Sequence, residues 1–184
     1  MIGRGGPTIV AVHSPISRGQ KGIKCCCCMC CTCFNWNFLK TPHGILKIAE
    51  AILGFCCQTL AVNYGLGYAG IIGKSYHSFL TTTCWGLMTT VMLLFCYIFS
   101  EKSIGLIRQS LFETTFNALA CFSYLSSCSY LGFAVNTFLY PLYIMTPFFQ
   151  VYPAMTAAYI LGLVVGCIHG YDAYKSYKYF KGYR

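Results

Sequence analysis

Four stretches of the chain stay apolar for about 20 residues or more, the length that crosses a hydrocarbon core of about 30 Å. Polar and charged residues gather between them and at the two ends. The pattern predicts helices over 44–64, 76–99, 111–135 and 154–174, an all-α bundle of four membrane spans with short connectors. Thr41 followed by Pro42 is a helix start, since the hydroxyl can accept from an early backbone N–H and proline has none to lose. The first span is interrupted by Lys47 and Glu50. At about 1.5 Å per residue Glu50 lies roughly 13 Å along the axis from Thr41, inside the apolar slab. An unpaired carboxylate there costs about 2.5 to 3.5 kcal/mol, so Glu50 should face protein or be neutral, and Lys47, three residues earlier on the same face, can pair with it or snorkel to the headgroups.

The other spans carry weaker signals. The second is uncharged, and its threonines, Thr81 to Thr83 with Thr89 and Thr90, are expected to bond back to their own helix carbonyls. In the third, Glu113 sits in the first turn, where the helix dipole favours a carboxylate and no further role is required. Ser123, Ser126, Ser127, Cys128 and Ser129 form a small-residue surface suited to close packing in lipid. The fourth carries Gly162, Gly166 and Gly170 at spacing four, a doubled GxxxG face expected to pack within the chain. His169 and Asp172 at its end could bind metal or relay a proton, but such residues more often anchor a helix end and meet lysines such as Lys175, and no chemistry is assigned to them. The connectors read as a glycine-rich loop, GLGYAGIIGKS, a polar turn with Glu101, Lys102 and Arg108, and a longer loop over 136–153. Tyr140, Tyr143, Phe148, Phe149 and Tyr152 in that loop suit an interfacial belt.

Composition agrees. Only 9% of the 184 residues are charged, against about 25% for a soluble domain, and 57% are hydrophobic. The net charge of +9 is unevenly placed: Arg4, Arg18, Lys21, Lys24 and Lys40 precede the first span, and Lys175, Lys178, Lys181 and Arg184 follow the last. Lys74 alone lies in a connector of the opposite side, so both termini are expected in the cytoplasm. Residues 1–37 read as a disordered basic tail, ahead of a domain over 38–182. No cleavable signal, N-glycosylation sequon, myristoylation signal or prenylation box is expected.

That tail contains Cys25, Cys26, Cys27, Cys28, Cys30, Cys31 and Cys33. Adjacent thiolates diverge and cannot close a tetrahedron without a second distant pair, and cytoplasmic disulfides are disfavoured, so no metal site is expected. S-acylation (palmitoylation) suits juxtamembrane cysteines beside basic residues, with a chemically silent cluster as the alternative.

The run FLKTPHGILKIAEAILG resembles the opening of the MARVEL domain, the four-helix membrane module of MAL, CKLF-like, occludin and synaptophysin relatives. AAYILGLVVGCIHGYDAYKSYKYFKG is similar to that domain's last helix and its aromatic exit. The resemblance implies a MARVEL-like four-helix bundle and a part in membrane apposition, vesicle trafficking and membrane fusion, including fusion of muscle precursors, or in organising sterol-rich membrane. No nucleophile with its base, no open metal set and no repeated broken helices occur, so an enzyme is not expected. The competing functions are a tetraspan of an epithelial occluding junction and, more remotely, a small channel or transporter. No cofactor, nucleic acid or small-molecule substrate is expected. Membrane lipids, other membrane proteins or further copies of the chain are the expected partners, at the plasma membrane or on vesicles.

Overall fold

In the computed structural model, which describes residues 35–182, every regular element is helical. The tail cysteines Cys25 to Cys33 and the basic residues before them lie outside the described residues. A single turn, α1 (Trp36–Leu39), is capped by the Asn35 side chain, which accepts from the Phe38 N–H. Thr41 then does two jobs. Its hydroxyl donates to the Phe38 carbonyl at 2.6 Å and accepts from the Gly44 N–H at 3.1 Å, which joins α1 to α2 (Pro42–Leu60) at a fixed angle. A Cβ at Gly44 would collide with the same Phe38 carbonyl, so the joint requires glycine.

Past Leu60 the chain does not loop. It continues through a π-helical turn at Ala61–Gly65 and a 3-10 turn at Leu66–Tyr68 into α3 (Ala69–Ile72), and breaks only at Gly73, where φ is +70°. The glycine-rich connector expected as a loop is therefore mostly helical. The segment is apolar, and a backbone surrounded by lipid closes its hydrogen bonds within the helix. The second span is α4 (Lys74–Phe99), where Thr82, Thr83 and Thr89 bond back to their own helix carbonyls. The polar turn is a helix too, α5 (Glu101–Gln109), capped by Ser100.

The third span, α6 (Leu111–Ala134), also outruns its expected end. A second π-helical turn at Val135–Leu139 and α7 (Tyr140–Met145) occupy most of the expected loop over 136–153. The reversal falls at residues 146–150, with Phe148 in the left-handed region at φ 63°. Within the belt sequence, Tyr140 and Tyr143 pack on Tyr152, and Phe149 packs on Tyr68. The last helix, α8 (Val151–Phe180), exceeds its expected range at both ends.

Four helical stretches, Pro42–Ile72, Lys74–Phe99, Leu111–Met145 and Val151–Phe180, are long and apolar enough to cross a membrane. The largest interface joins α6 to α8, and the glycine stripe explains why. A Cβ at Gly162 would meet Cys128 Sγ and Phe79, at Gly166 Tyr124 and Leu125, and at Gly170 Cys121. Ser127 and Cys128 are buried in this bundle, whereas Ser126 and Ser129 are exposed and bond back to their own helix, so the expected five-residue packing face is narrower. Large apolar side chains face outward, and the interior holds a charged cluster beside its apolar core. Phe122 and Phe133 are 73% and 68% exposed, while Lys47, Glu113, Asn117 and Asp172 are wholly buried.

Candidate functional site: a buried charged network

Three of the chain's four acidic side chains, Glu50, Glu113 and Asp172, are drawn into one interior cluster near the start of α2. α2 runs into the bundle as α8 runs out. Residues one, five and eight positions after Pro42 therefore meet residues eight and eleven positions before Phe180. α6 adds Glu113 and Asn117 from its first two turns, and α5 swings Arg108 across the end.

Lys47 is the centre. Its Nζ lies 2.7 Å from Asp172 Oδ2, 2.9 Å from Glu50 Oε2 and 3.0 Å from Asn117 Oδ1, with Glu113 Oε1 at 3.8 Å. An ammonium has three donors, and all three are used. Asn117 uses both ends of its amide: Oδ1 accepts from Lys47, and Nδ2 donates to Asp172 Oδ2 at 2.8 Å. His169 Nδ1 lies 3.0 Å from Asn117 Oδ1 and 3.3 Å from Glu50 Oε1, and its ring stacks on Tyr124. Tyr124 in turn lies against Gly86, where an added Cβ would come within 3.0 Å of its ring, and in ordinary contact with Gly54.

His43 has a different geometry. Nε2 lies 3.1 Å from Glu113 Oε1 and Nδ1 lies 3.2 Å from Asp172 Oδ1, so both ring nitrogens face carboxylates. A neutral imidazole has one N–H and one lone pair. Both contacts are attractive only when both nitrogens carry protons. With all three carboxylates ionised, Lys47 and Arg108, whose Nε lies 3.8 Å from Glu113 Oε2, would leave one negative charge for an imidazolium to neutralise. Donor atoms of His43, Glu113 and Asp172 lie within 4.8 Å of one another, close enough to share a cation. A divalent ion would overshoot the balance beside Lys47 and Arg108, so the donor set fits a metal poorly.

The structure thus places Lys47 beside Glu50 as a minor part of a larger assembly. Two sequence readings need correction. Asp172 and His169 do not simply anchor a helix end beside Lys175. They are buried, with Asp172 against Lys47 and His43, because the helical register of α8 turns them inward while Lys175 lies over the Tyr171 ring. Glu113 is likewise more than a dipole partner, being wholly buried between His43, Lys47 and Arg108. His43, Asn117 and Arg108 were missed as site residues. The available signal was scarcity, since so few carboxylates in so apolar a chain must each find a partner.

The chain matches the family model described as MARVEL, Membrane-associating domain, over residues 38–175. The chain belongs to the MARVEL family. Every network residue lies within the matched region. Among relatives of this MARVEL protein, Protein singles bar of Drosophila melanogaster is 48% identical over 163 residues, covering 89% of this chain and 93% of that protein. The resemblance carried by the two end segments of the sequence is thereby borne out. No solved structure matches the MARVEL chain. Family membership and four apolar helices of sufficient length make it a multi-pass membrane protein.

Proposed function

We propose that this chain is a non-enzymatic membrane organiser acting in membrane apposition, vesicle traffic or cell–cell fusion, with the fusion of muscle precursors as its specific setting. The observation that supports the non-enzymatic part is how Lys47 and Asn117 are used. Lys47 spends its three donors, and Asn117 both ends of its amide, on neighbouring side chains, so these groups tie α2, α6 and α8 together instead of facing a substrate. The likeness to singles bar supports the setting. Both termini are placed in the cytoplasm on this reading, with an acylated tail held to the inner leaflet. Partners are lipids, other membrane proteins or further copies of the chain.

The experiment is depletion from fusing myoblasts, followed by rescue with the full chain. Adherent but mononucleate cells, restored to fusion by the rescue, are expected. Normal fusion with a leaking epithelial barrier would instead support the occluding-junction role. A small transporter is a second reading, because buried ionisable residues are a feature of transport pathways. Ion flux in proteoliposomes above that of empty liposomes would establish it.

A further inference from the structure

Beside the network, on the expected cytoplasmic side, a cavity of about 850 Å³ opens between α1, the start of α2, α5 and the end of α8. Its size is that of a small-molecule site. Its walls include Arg108 and Lys175 together with the polar side chains of Asn35, Asn37 and Thr41. Lys175 makes no ion pair among the described residues and lies over the Tyr171 ring. Asp172 also reaches the wall, but Lys47 and His43 already hold it. Thr41, Pro42 and His43 are the first positions of the 19-residue α2, so the positive end of that helix faces the same space. Arg108 also faces Glu113, so Lys175 is the cation of this wall with no ion pair among the described residues, in a lining that is otherwise largely apolar.

A second feature turns this from an anion site into an amphiphile site. A groove of about 450 Å³ runs along α8, walled by Leu46, Leu163, Val164, Cys167, Ile168 and Tyr171, and shares Leu46 and Tyr171 with the cavity. From Tyr171 back to Ile160 at its far end is eleven residues, roughly 16 Å at 1.5 Å each. That is about half of a hydrocarbon core, one leaflet deep. A chamber with a largely apolar wall and two cationic side chains, Arg108 and Lys175, thus adjoins at headgroup level an apolar groove about as deep as one acyl chain.

We propose that this cavity and groove bind one anionic glycerophospholipid, its phosphate between Arg108 and Lys175 and an acyl chain along Val164 and Cys167. The site rests on the membrane-spanning reading but not on the role in fusion. A neutral lipid would leave Lys175 without an anionic partner, and a sterol hydroxyl would leave most of the chamber unfilled. Beyond the site, Lys178 over Tyr174 and Lys181 over Tyr177 repeat the pairing of Lys175 over Tyr171 at spacing four. These outer pairs serve as the internal control, being equally basic but outside the cavity.

The test uses purified full-length protein in detergent micelles, with dioleoyl phosphatidylserine or dioleoyl phosphatidylcholine titrated in and bound lipid counted by native mass spectrometry. Phosphatidylserine should bind in preference to phosphatidylcholine at one copy per chain. Arg108→Gln with Lys175→Gln should weaken it about thirty-fold, and Lys175→Gln alone about five-fold. Lys178→Gln with Lys181→Gln should change it less than about three-fold, and Val164→Trp should remove it by filling the groove. The single Lys175 variant guards against a folding failure from the loss of Arg108, since Lys175 holds no ion pair that the fold uses. Three results would overturn the proposal: equal weakening in the cavity and control variants, no preference over phosphatidylcholine, or displacement of the lipid by soluble glycerophosphate at matched concentration. Because binding is read on isolated protein, its failure is distinct from a failure of the fusion role.

Discussion

Asn117 shows what a single residue contributes at the centre of this bundle. It accepts from Lys47 and donates to Asp172, so it relays between two charges on different helices. Asn117→Leu keeps the volume but strips one partner from each, and an unsatisfied buried polar group costs about 1 to 3 kcal/mol. Thermal unfolding in detergent should show a clear drop, whereas Thr115→Leu, on the exposed side of the same helix, should leave the transition within about 0.5 kcal/mol. Little of this was legible in the sequence. Lys47 and Glu50 could be paired because they share a helix and a face, and spacing alone puts them in reach. Asn117 and Asp172 are 55 positions apart, and only the meeting of α6 with α8 joins them. Glu113 at a helix start looked fully explained by the dipole, and a sufficient local reason concealed the long-range one.

At the scale of elements, the glycines of α8 decide how close α6 can come. The spacing of Gly162, Gly166 and Gly170 was readable in the sequence, but the facing side chains, Cys128, Tyr124 and Cys121, were not. Gly162→Leu would drive a branched side chain into Cys128 and Phe79, and overpacking of this kind costs about 1 to 3 kcal/mol or more. Gly67→Ala and Gly70→Ala meet nothing within 4 Å and should be tolerated. Unfolding midpoints of the three variants compare these outcomes. Helix ends were the least legible feature. Glycine-rich and proline-bearing segments signal loops in water, yet Ala61–Ile72 and Val135–Met145 remain helical among apolar neighbours because a backbone short of water closes its own hydrogen bonds.

For the whole molecule, the sequence conveyed the architecture through hydropathy and the family through two end segments, both long-range averages that need no knowledge of which faces touch. The orientation makes its own prediction. Tags at Gly3 and Arg184 should both be digested in permeabilised cells and both be protected in intact ones, and digestion of one alone in intact cells would refute a paired cytoplasmic placement. Replacing Cys25, Cys26, Cys27, Cys28, Cys30, Cys31 and Cys33 by serine should abolish hydroxylamine-sensitive acyl-exchange mass shifts, while an unchanged ladder of shifts would remove the acylated tail from the account.

The central claim is that the buried charges act as one unit holding the helices together, and a double-mutant cycle between Lys47 and Asp172 tests it most directly. Lys47→Met and Asp172→Leu should each cost about 3 to 5 kcal/mol of unfolding free energy, because each strands its partner in the interior. Removing both strands less, so the double variant should lose well under the sum, with a coupling of about 2 kcal/mol or more. Losses that add to within about 0.5 kcal/mol would contradict the claim, since the two side chains, 2.7 Å apart, would then contribute independently.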